Sequence, residues 1–358
     1  MIIPEGVTSI ADYAFQECTT ITSVIIDSER ISLGKQSFCK CSSLETFDFE
    51  PVWKMGYGCF LYCGSLKEVI LSDNIVNGGI PESCFNQCDS LEVLDISRCS
   101  QLENFGNGYV CYYCTSLKTV NLNNKISSIP QRNFTGCYEL ETINLPDSVR
   151  SFGDVCFYGC HKLKSISLPD NLTMLGKDNF GLCKALTSIT IPASVTSLGE
   201  NCFSGCTSLT SVTFATNIQG ETSIESLGAY CFNNCSALTG INLPNSITSL
   251  GQCCFMSCTK LTGITIPNSV TVWGAECFKD CSTLSSVSLG SELMYIPSGA
   301  FWNCTSLTEI TVPSSVKQIC SDAFVSCREL LYVKGCSNVT LLGNSDQDTR
   351  RNCFLGCS

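Results

Sequence analysis

One recurrence constrains this sequence more than any other feature. Phenylalanine followed three residues later by cysteine, F-x-x-C, returns from one end of the chain to the other. It stands at Phe15/Cys18, Phe38/Cys41, Phe60/Cys63, Phe85/Cys88, Phe134/Cys137, Phe157/Cys160 and Phe180/Cys183. It continues at Phe203/Cys206, Phe232/Cys235, Phe255/Cys258, Phe278/Cys281, Phe301/Cys304, Phe324/Cys327 and Phe354/Cys357. Cys114 belongs to the same series, with Val110 or Cys111 where the phenylalanine should be, which makes 15 copies. Successive ladder cysteines are 23 residues apart in nine of fourteen intervals. Self-similarity at a fixed short period marks a chain of stacked units, none of which can cover its apolar side alone.

One unit is legible in "CTKLTGITIPNSVTVWGAECF", residues 258–278. Leu261, Ile264 and Ile266 form a short strand with its apolar residues on one side, and Pro267 removes a backbone donor and stops it. "NSV" makes a polar corner that returns Val270 to the interior, Gly274 permits the next bend, and Phe278 fills the far wall. Strands of successive coils are then parallel neighbours about 4.8 Å apart, so fifteen coils extend roughly 70 Å. Stacked Leu, Ile, Val and Phe columns make a continuous core, in which burying one Phe contributes about 1.5–3 kcal/mol. The coil carrying Cys111 is expected to be the weakest place.

The order C-x-x-L-x-x-I-x-I-P-x-S-V-x-x-I-G-x-x-[AC]-F resembles the BspA-like leucine-rich repeat family across residues 1–358. The match is tightest from Phe134 to Cys206 and from Phe232 to Cys327, and the consensus largely fails after Leu331. The resemblance implies a β-rich leucine-rich repeat solenoid: a right-handed stack of about 15 coils with a parallel concave sheet and short 3-10 or irregular convex segments. It implies one solenoid over 1–358, with irregular coils over 19–114, regular coils over 115–327 and a degenerate last coil over 328–358. Members of this family are typically adhesins or recognition proteins on host-associated bacteria and protists, with no catalytic residues to transfer. The expectation is therefore a non-catalytic protein-binding or adhesion solenoid, at a cell surface or secreted. The alternative is an intracellular or particle-associated scaffold.

Charge narrows the partners. A net charge of −11 argues against nucleic acid and anionic membranes, both of which need clustered Lys and Arg. No apolar run approaches the roughly 18 residues of a spanning helix, and "MIIPEGVTSI" lacks the basic region of a signal peptide. No cofactor or metal is expected. The partner is a host or matrix protein, or other subunits covering apolar coil ends at "MIIPEGV" and "NCFLGCS".

The 29 cysteines admit several chemistries. Fifteen form the F-x-x-C ladder, and eight more precede the phenylalanine: Cys59, Cys84, Cys156, Cys202, Cys231, Cys254, Cys277 and Cys353. Ala14, Ala300 and Ala323 fill that slot elsewhere, so it takes small residues, and free cysteine behaves as a small buried hydrophobe. The F-x-x-C cysteines are accordingly read as core filling. Disulfides along the ladder are disfavoured because parallel Cβ vectors do not approach to roughly 3.5–4.5 Å. Cys39, Cys99, Cys111, Cys253, Cys320 and Cys336 lie off the ladder and are better placed for a bridge. "CYYC" at 111–114 has C-x-x-C spacing, but no second such pair lies nearby to complete a zinc site. The single histidine, His161, has no repeated catalytic partner. Of five glycosylation sequons, at Asn133, Asn171, Asn234, Asn303 and Asn338, three (Asn133, Asn234 and Asn303) fall at the turn, where a glycan would crowd the core.

Two sets of outward residues are candidates for partner binding. On the sheet, the residue between the core aliphatics is polar from Asn121 through Asn144, Ser167, Thr190, Thr213, Asn242, Thr265 and Ser288 to Thr311. This is a solvated sheet whose hydroxyls satisfy each other, or a hydrogen-bonding surface for an extended partner. Aromatics lie elsewhere: Tyr62, Tyr112, Tyr113, Tyr158 and Trp302 occur between the Phe and Cys slots, with Trp53, Tyr57, Tyr109 and Tyr138 nearby. They are either interface anchors or patches over imperfect stacking. Insertions at 215–226 and 335–351 break the period and add loops.

Overall fold

A computed structural model describes residues 1–76, 78–337, 339–341 and 354. Cys353, Cys357, Asn338 and most of the 335–351 insertion lie outside them. The fold is a parallel β-solenoid of about fifteen turns, without a helix among the described residues. Contacts divide the chain into two units, Met1–Leu172 and Thr173–Ser358.

Each unit contains the expected main ladder. In the first, Glu68–Ile70 pairs with Val93–Asp95, which pairs with Thr119–Asn121, all parallel. The register sets Val69, Leu94 and Val120 side by side, and all three are buried. In the second unit Ser188–Ile191 pairs with Ser211–Phe214, and Gly263–Thr265 with Ser286–Ser288. Pro267 ends the strand as expected, and its carbonyl accepts from the Val270 N–H at 3.1 Å to close the corner.

A second parallel ladder was not legible in advance. Ser197–Leu198, Ser226–Leu227, Ser249–Leu250 and Val272–Trp273 pair in register on the way from the corner to the phenylalanine. Ser9–Ile10, Ile31–Leu33 and Val52–Met55 also pair in parallel in the first unit, with a register shift after Ile31 where Ser32 pairs with Lys54. The glycine that follows these strands is there for space. A Cβ on Gly251 would lie 2.3 Å from the backbone nitrogen of Ala229 in the preceding coil.

The remaining side of each coil consists of turns, the irregular form of the short 3-10 or irregular segments expected. The cause is a pair of left-handed residues flanking each phenylalanine, two before it and two after it. Examples are Tyr13 and Glu17 around Phe15, and Tyr230 and Asn234 around Phe232, with φ between 55° and 61°. That alternation directs every second N–H at the next coil. Tyr230, Phe232 and Asn234 donate to the carbonyls of Gln252, Cys254 and Met256 at 2.7–2.8 Å. Left-handed backbone costs about 1–2 kcal/mol per non-glycine residue, and these bonds offset it.

The phenylalanine rings stack in columns. Phe232–Phe255 and Phe255–Phe278 have centroids 5.4 Å apart with planes within 9°, inside the favourable offset-stacked range. Phe134–Phe157 and Phe180–Phe203 repeat the arrangement at 5.5 and 5.4 Å, and Phe324 stacks on Phe354. The gap in the ladder is at Cys111, whose carbonyl does what a phenylalanine carbonyl does elsewhere. The missing ring comes from Phe105, buried and stacked on Phe134 at 5.6 Å, so this coil is not left hollow.

The ladder side chains Phe157, Cys160, Phe180, Cys183, Phe203, Cys206, Phe255, Cys258, Phe278 and Cys281 are all fully buried. The reading of these cysteines as core filling alone needs correction, because the thiols also donate hydrogen bonds. In Cys206, Cys235, Cys258 and Cys281 the thiol donates to the carbonyl of Phe180, Phe203, Phe232 and Phe255 in the preceding coil, at 3.1–3.2 Å. Cys63, Cys88 and Cys160 repeat the bond with Phe38, Phe60 and Phe134. Cys183 contributes through its main chain as well: its N–H donates to the Phe180 carbonyl at 3.1 Å, the oxygen that the Cys206 thiol also reaches. Three coils further along, the Cys258 N–H donates to the Phe255 carbonyl at 3.2 Å, and the Cys281 thiol shares that oxygen. Both lone pairs of the buried oxygen are thereby used. Every cysteine of the described residues is a thiol and not half of a disulfide. Burial pushes the Cys206 and Cys281 thiols up from 9 to about 12.

Three outcomes follow. Phe255→Ala should lower stability by about 3–5 kcal/mol in urea unfolding, through loss of packing and an unrelaxed cavity. Gly251→Ala should cost about 1–3 kcal/mol by overpacking against Ala229. Because the folded thiols titrate above the unfolded value, their stabilisation is complete below about pH 9 and is lost as pH rises toward 12. A thermal scan should therefore be flat from pH 7 to 8.5 and fall steadily above it.

Candidate protein-binding surfaces

The repeat places side chains at fixed heights, so residues 23 apart in sequence become neighbours. Among exposed charges the period of about 23 to 26 residues yields rungs such as Lys164–Glu141, 23 apart, Lys334–Glu309, 25 apart, and Lys118–Glu92, 26 apart, at 2.7–2.9 Å. All are solvent-exposed, so each contributes only about 0–1 kcal/mol.

The polar sheet positions satisfy one another in part. Asn121 bridges to Asn144 and donates its amide to Asp95 at 2.9 Å, while Asn144 and Asn242 are exposed. Beside them the Thr210 and Thr262 hydroxyls donate to the carbonyls of Thr187 and Thr239 in the coils before.

The aromatic candidates do not form one cluster. Trp53 is half-buried with the Arg30 guanidinium 4.8 Å from its ring. Tyr62 is 42% exposed and edges a shallow groove with Glu17, Lys40 and Ser42. Trp302 is half-buried under the Lys279 ammonium, 4.4 Å from the ring, and Lys279 pairs with Glu276.

Tyr112 and Tyr113 sit in a continuous strip. Ring contacts run from Tyr109 to Tyr112 at 5.4 Å, to Tyr113 at 4.6 Å, to Tyr138 at 6.1 Å, and to His161 at 4.7 Å, the last pair stacked flat. All five are half-buried. Tyr113 lies against Gly136, where a Cβ would be 2.9 Å from the ring. Arg132 caps the strip, donating to the Tyr109 hydroxyl at 2.6 Å with its guanidinium over the ring. Burial raises the Tyr112 and Tyr138 phenols above their ordinary range. Tyr158 is half-buried beside it, and its carbonyl accepts from the Gly136 N–H.

Two members of the strip, His161 and Arg132, were not singled out as candidates, although the period pointed to them: His161 lies 23 residues from Tyr138, and Arg132 lies 23 from Tyr109. Among the sequons, Asn133 is fully buried and bonded to Val110 and Phe105, as its place in the turn implied. Asn234, however, is exposed, because its left-handed backbone turns the side chain outward.

Parallel coils with an L-x-x-I-x-I strand and a stacked phenylalanine column define a leucine-rich repeat protein, a repeat fold of the protein-interaction class. More narrowly, the chain belongs to the BspA type leucine-rich repeat family, whose model matches residues 1–109, 107–225 and 225–358. It is similar in structure to a leucine-rich repeat protein from Bacteroides ovatus, with 22% identity, a TM-score of 0.57, and coverage of 94% of this chain and 78% of that one. A leucine-rich cell surface protein from Faecalibacterium prausnitzii gives 23% identity and a TM-score of 0.50, covering 98% and 82%. A leucine-rich repeat protein from Eubacterium ventriosum gives 19% and 0.51, covering 99% and 89%. No curated protein matches the chain. Family and neighbours are non-enzymatic repeat proteins, and no helix of the described residues is long and apolar enough to cross a membrane.

Buried, protonated thiols should be unreactive. With Ellman's reagent at pH 7.5, the native protein should expose only a few of its 29 cysteines within minutes, and denaturant should release them all.

Proposed function

We propose that this chain is a non-catalytic recognition solenoid, displayed at a cell surface or secreted, that binds a host or matrix protein through its aromatic strip. The observation that carries this reading is the run Tyr109, Tyr112, Tyr113, Tyr138 and His161, half-exposed and capped by Arg132. Tyr and Arg held rigidly lose little entropy on binding and are the residue types that anchor interfaces. The cell-surface description of the Faecalibacterium neighbour supports the location. Immobilised matrix proteins should retain the full chain, and the Tyr112→Ala/Tyr113→Ala variant should weaken that binding at least tenfold, about 1.4 kcal/mol, in biolayer interferometry. Unchanged affinity in the folded variant would remove the strip from the account.

A second reading rests on the thiols. A chain with this many cysteines and no disulfide in the described residues suits a reducing compartment, as an intracellular or particle-associated scaffold would require. Counting reduced thiols on protein taken from its native source, and localising it with an antibody, separates the two.

A further inference from the structure

We propose that a break in the main sheet of the second unit is a cleft for an extended peptide segment of small uncharged residues with a Lys or Arg at one end. This goes beyond the aromatic strip, which belongs to the other unit, and neither depends on the other.

The strand Ser211–Phe214 pairs only with Ser188–Ile191, and Gly263–Thr265 pairs only with Ser286–Ser288. The coil between them forms no strand over 240–243. It meets its successor at Thr239, whose carbonyl accepts from both the N–H and the hydroxyl of Thr262, and leaves the ladder beyond that point. The break follows the insertion that stretches the Cys206–Cys235 interval to 29 residues. That insertion is a closed loop: Asn217 bonds Glu221 through its N–H, and its side-chain oxygen accepts from Gln219 and Glu221. One edge of each flanking strand is thus left outside any ladder.

Two hollows of about 740 and 510 Å³ occupy the break, each of a size that holds a small ligand. They have no lining residue in common, but lie beside each other along the chain, where Thr213 and Leu243 line the larger and Phe214 and Pro244 the smaller. Gly240 and Gly263 widen the larger one. They occupy the same slot in consecutive coils, where flanking coils carry Ser188, Ser211, Ser286 and Glu309. Neither has a positive φ, a Cβ at Gly240 would meet nothing within 4 Å, and one at Gly263 would make ordinary contact. The fold does not require glycine at either place. In the smaller hollow, the hydroxyls of Thr222 and Ser246 are buried without a hydrogen-bond partner. The equivalent serines Ser148 and Ser269 donate to the coil before at 2.6 and 2.7 Å. Ser315, in the same slot beside strands that remain paired, is orphaned in the same way.

The chemistry selects the occupant. The exposed hydroxyls of Ser211, Thr213, Thr265 and Ser286 and the Asn242 amide line the larger hollow and offer hydrogen bonds in both directions to an extended chain. Glycine floors admit small side chains. Glu221 is the one charged residue lining either hollow, and it sits at one end. A peptide of about six residues would span roughly 20 Å.

The experiment uses the immobilised full chain and two labelled pools of amidated heptapeptides. Positions one to six are randomised among Gly, Ser, Thr, Val and Asn, and the seventh is Lys in one pool and Glu in the other. The Lys-ended pool should be retained at least tenfold more than the Glu-ended pool. Gly240→Val with Gly263→Val should abolish retention while circular dichroism stays native, and Glu221→Lys, on an exposed loop, should invert the end preference. Equal retention by wild type and both variants would overturn the proposal, as would no retention of either pool. Binding of neutral oligosaccharides in place of peptide, on the same surface, would also overturn it.

Discussion

The carbonyl oxygen of the column phenylalanine is the point on which each coil depends. It is buried, it has two lone pairs, and it receives one donor from its own coil and another from the next. An orphaned buried carbonyl costs about 1–3 kcal/mol, so F-x-x-C is a unit of hydrogen bonding as much as of packing. Alanine in the cysteine slot would fill the space and leave the oxygen with one partner. Serine would keep the donor but bring a more polar group into an apolar wall. A thiol is small, apolar and a weak donor, and that combination accounts for a cysteine content otherwise hard to reconcile with an absence of disulfides among the described residues.

The periodicity made the fold legible because every inward position repeats with the same residue class. Strand, corner, glycine and phenylalanine each carry a local signal strong enough to order one coil against the next. What stayed hidden depends on backbone geometry that residue type does not encode. The second ladder consists of two-residue strands such as Ser249–Leu250, too short for an alternating pattern to register. The left-handed positions hold Tyr, Glu, Gln, Asp, Cys and Val among others, with no compositional mark beyond their distance from the phenylalanine. Phe105 escaped because it reaches the column from outside the motif. The hydrogen bonds of the thiols escaped because each joins a cysteine such as Cys206 to a carbonyl one coil away, on Phe180, which no residue pattern announces.

The candidate surfaces were legible by type more than by grouping. Tyr112 and Tyr113 were identifiable as exposed aromatics, but their contacts with Tyr138 and His161 require the stacking of three coils. Trp53, Tyr62 and Trp302 resemble them in sequence and are separate in space, each paired with or beside a cation of its own: Arg30, Lys40 and Lys279. The polar sheet positions turned out to be partly self-satisfied, which leaves binding capacity where the ladder is interrupted and not along its whole length.

The left-handed residues beside each phenylalanine also bear on how such a chain changes over generations. The left-handed backbone costs least for Asn and Asp and most for β-branched residues, but many residue types fill these places, and the bonds there run through the main chain, so exchanging one side chain for another leaves the column untouched. Tyr13, Tyr62, Tyr113 and Tyr230 occupy such places, as do Lys40, Arg132 and Glu276. The outer margin of the coils can therefore drift, acquire new specificities and discard old ones, while the interior that supports it is inherited unaltered.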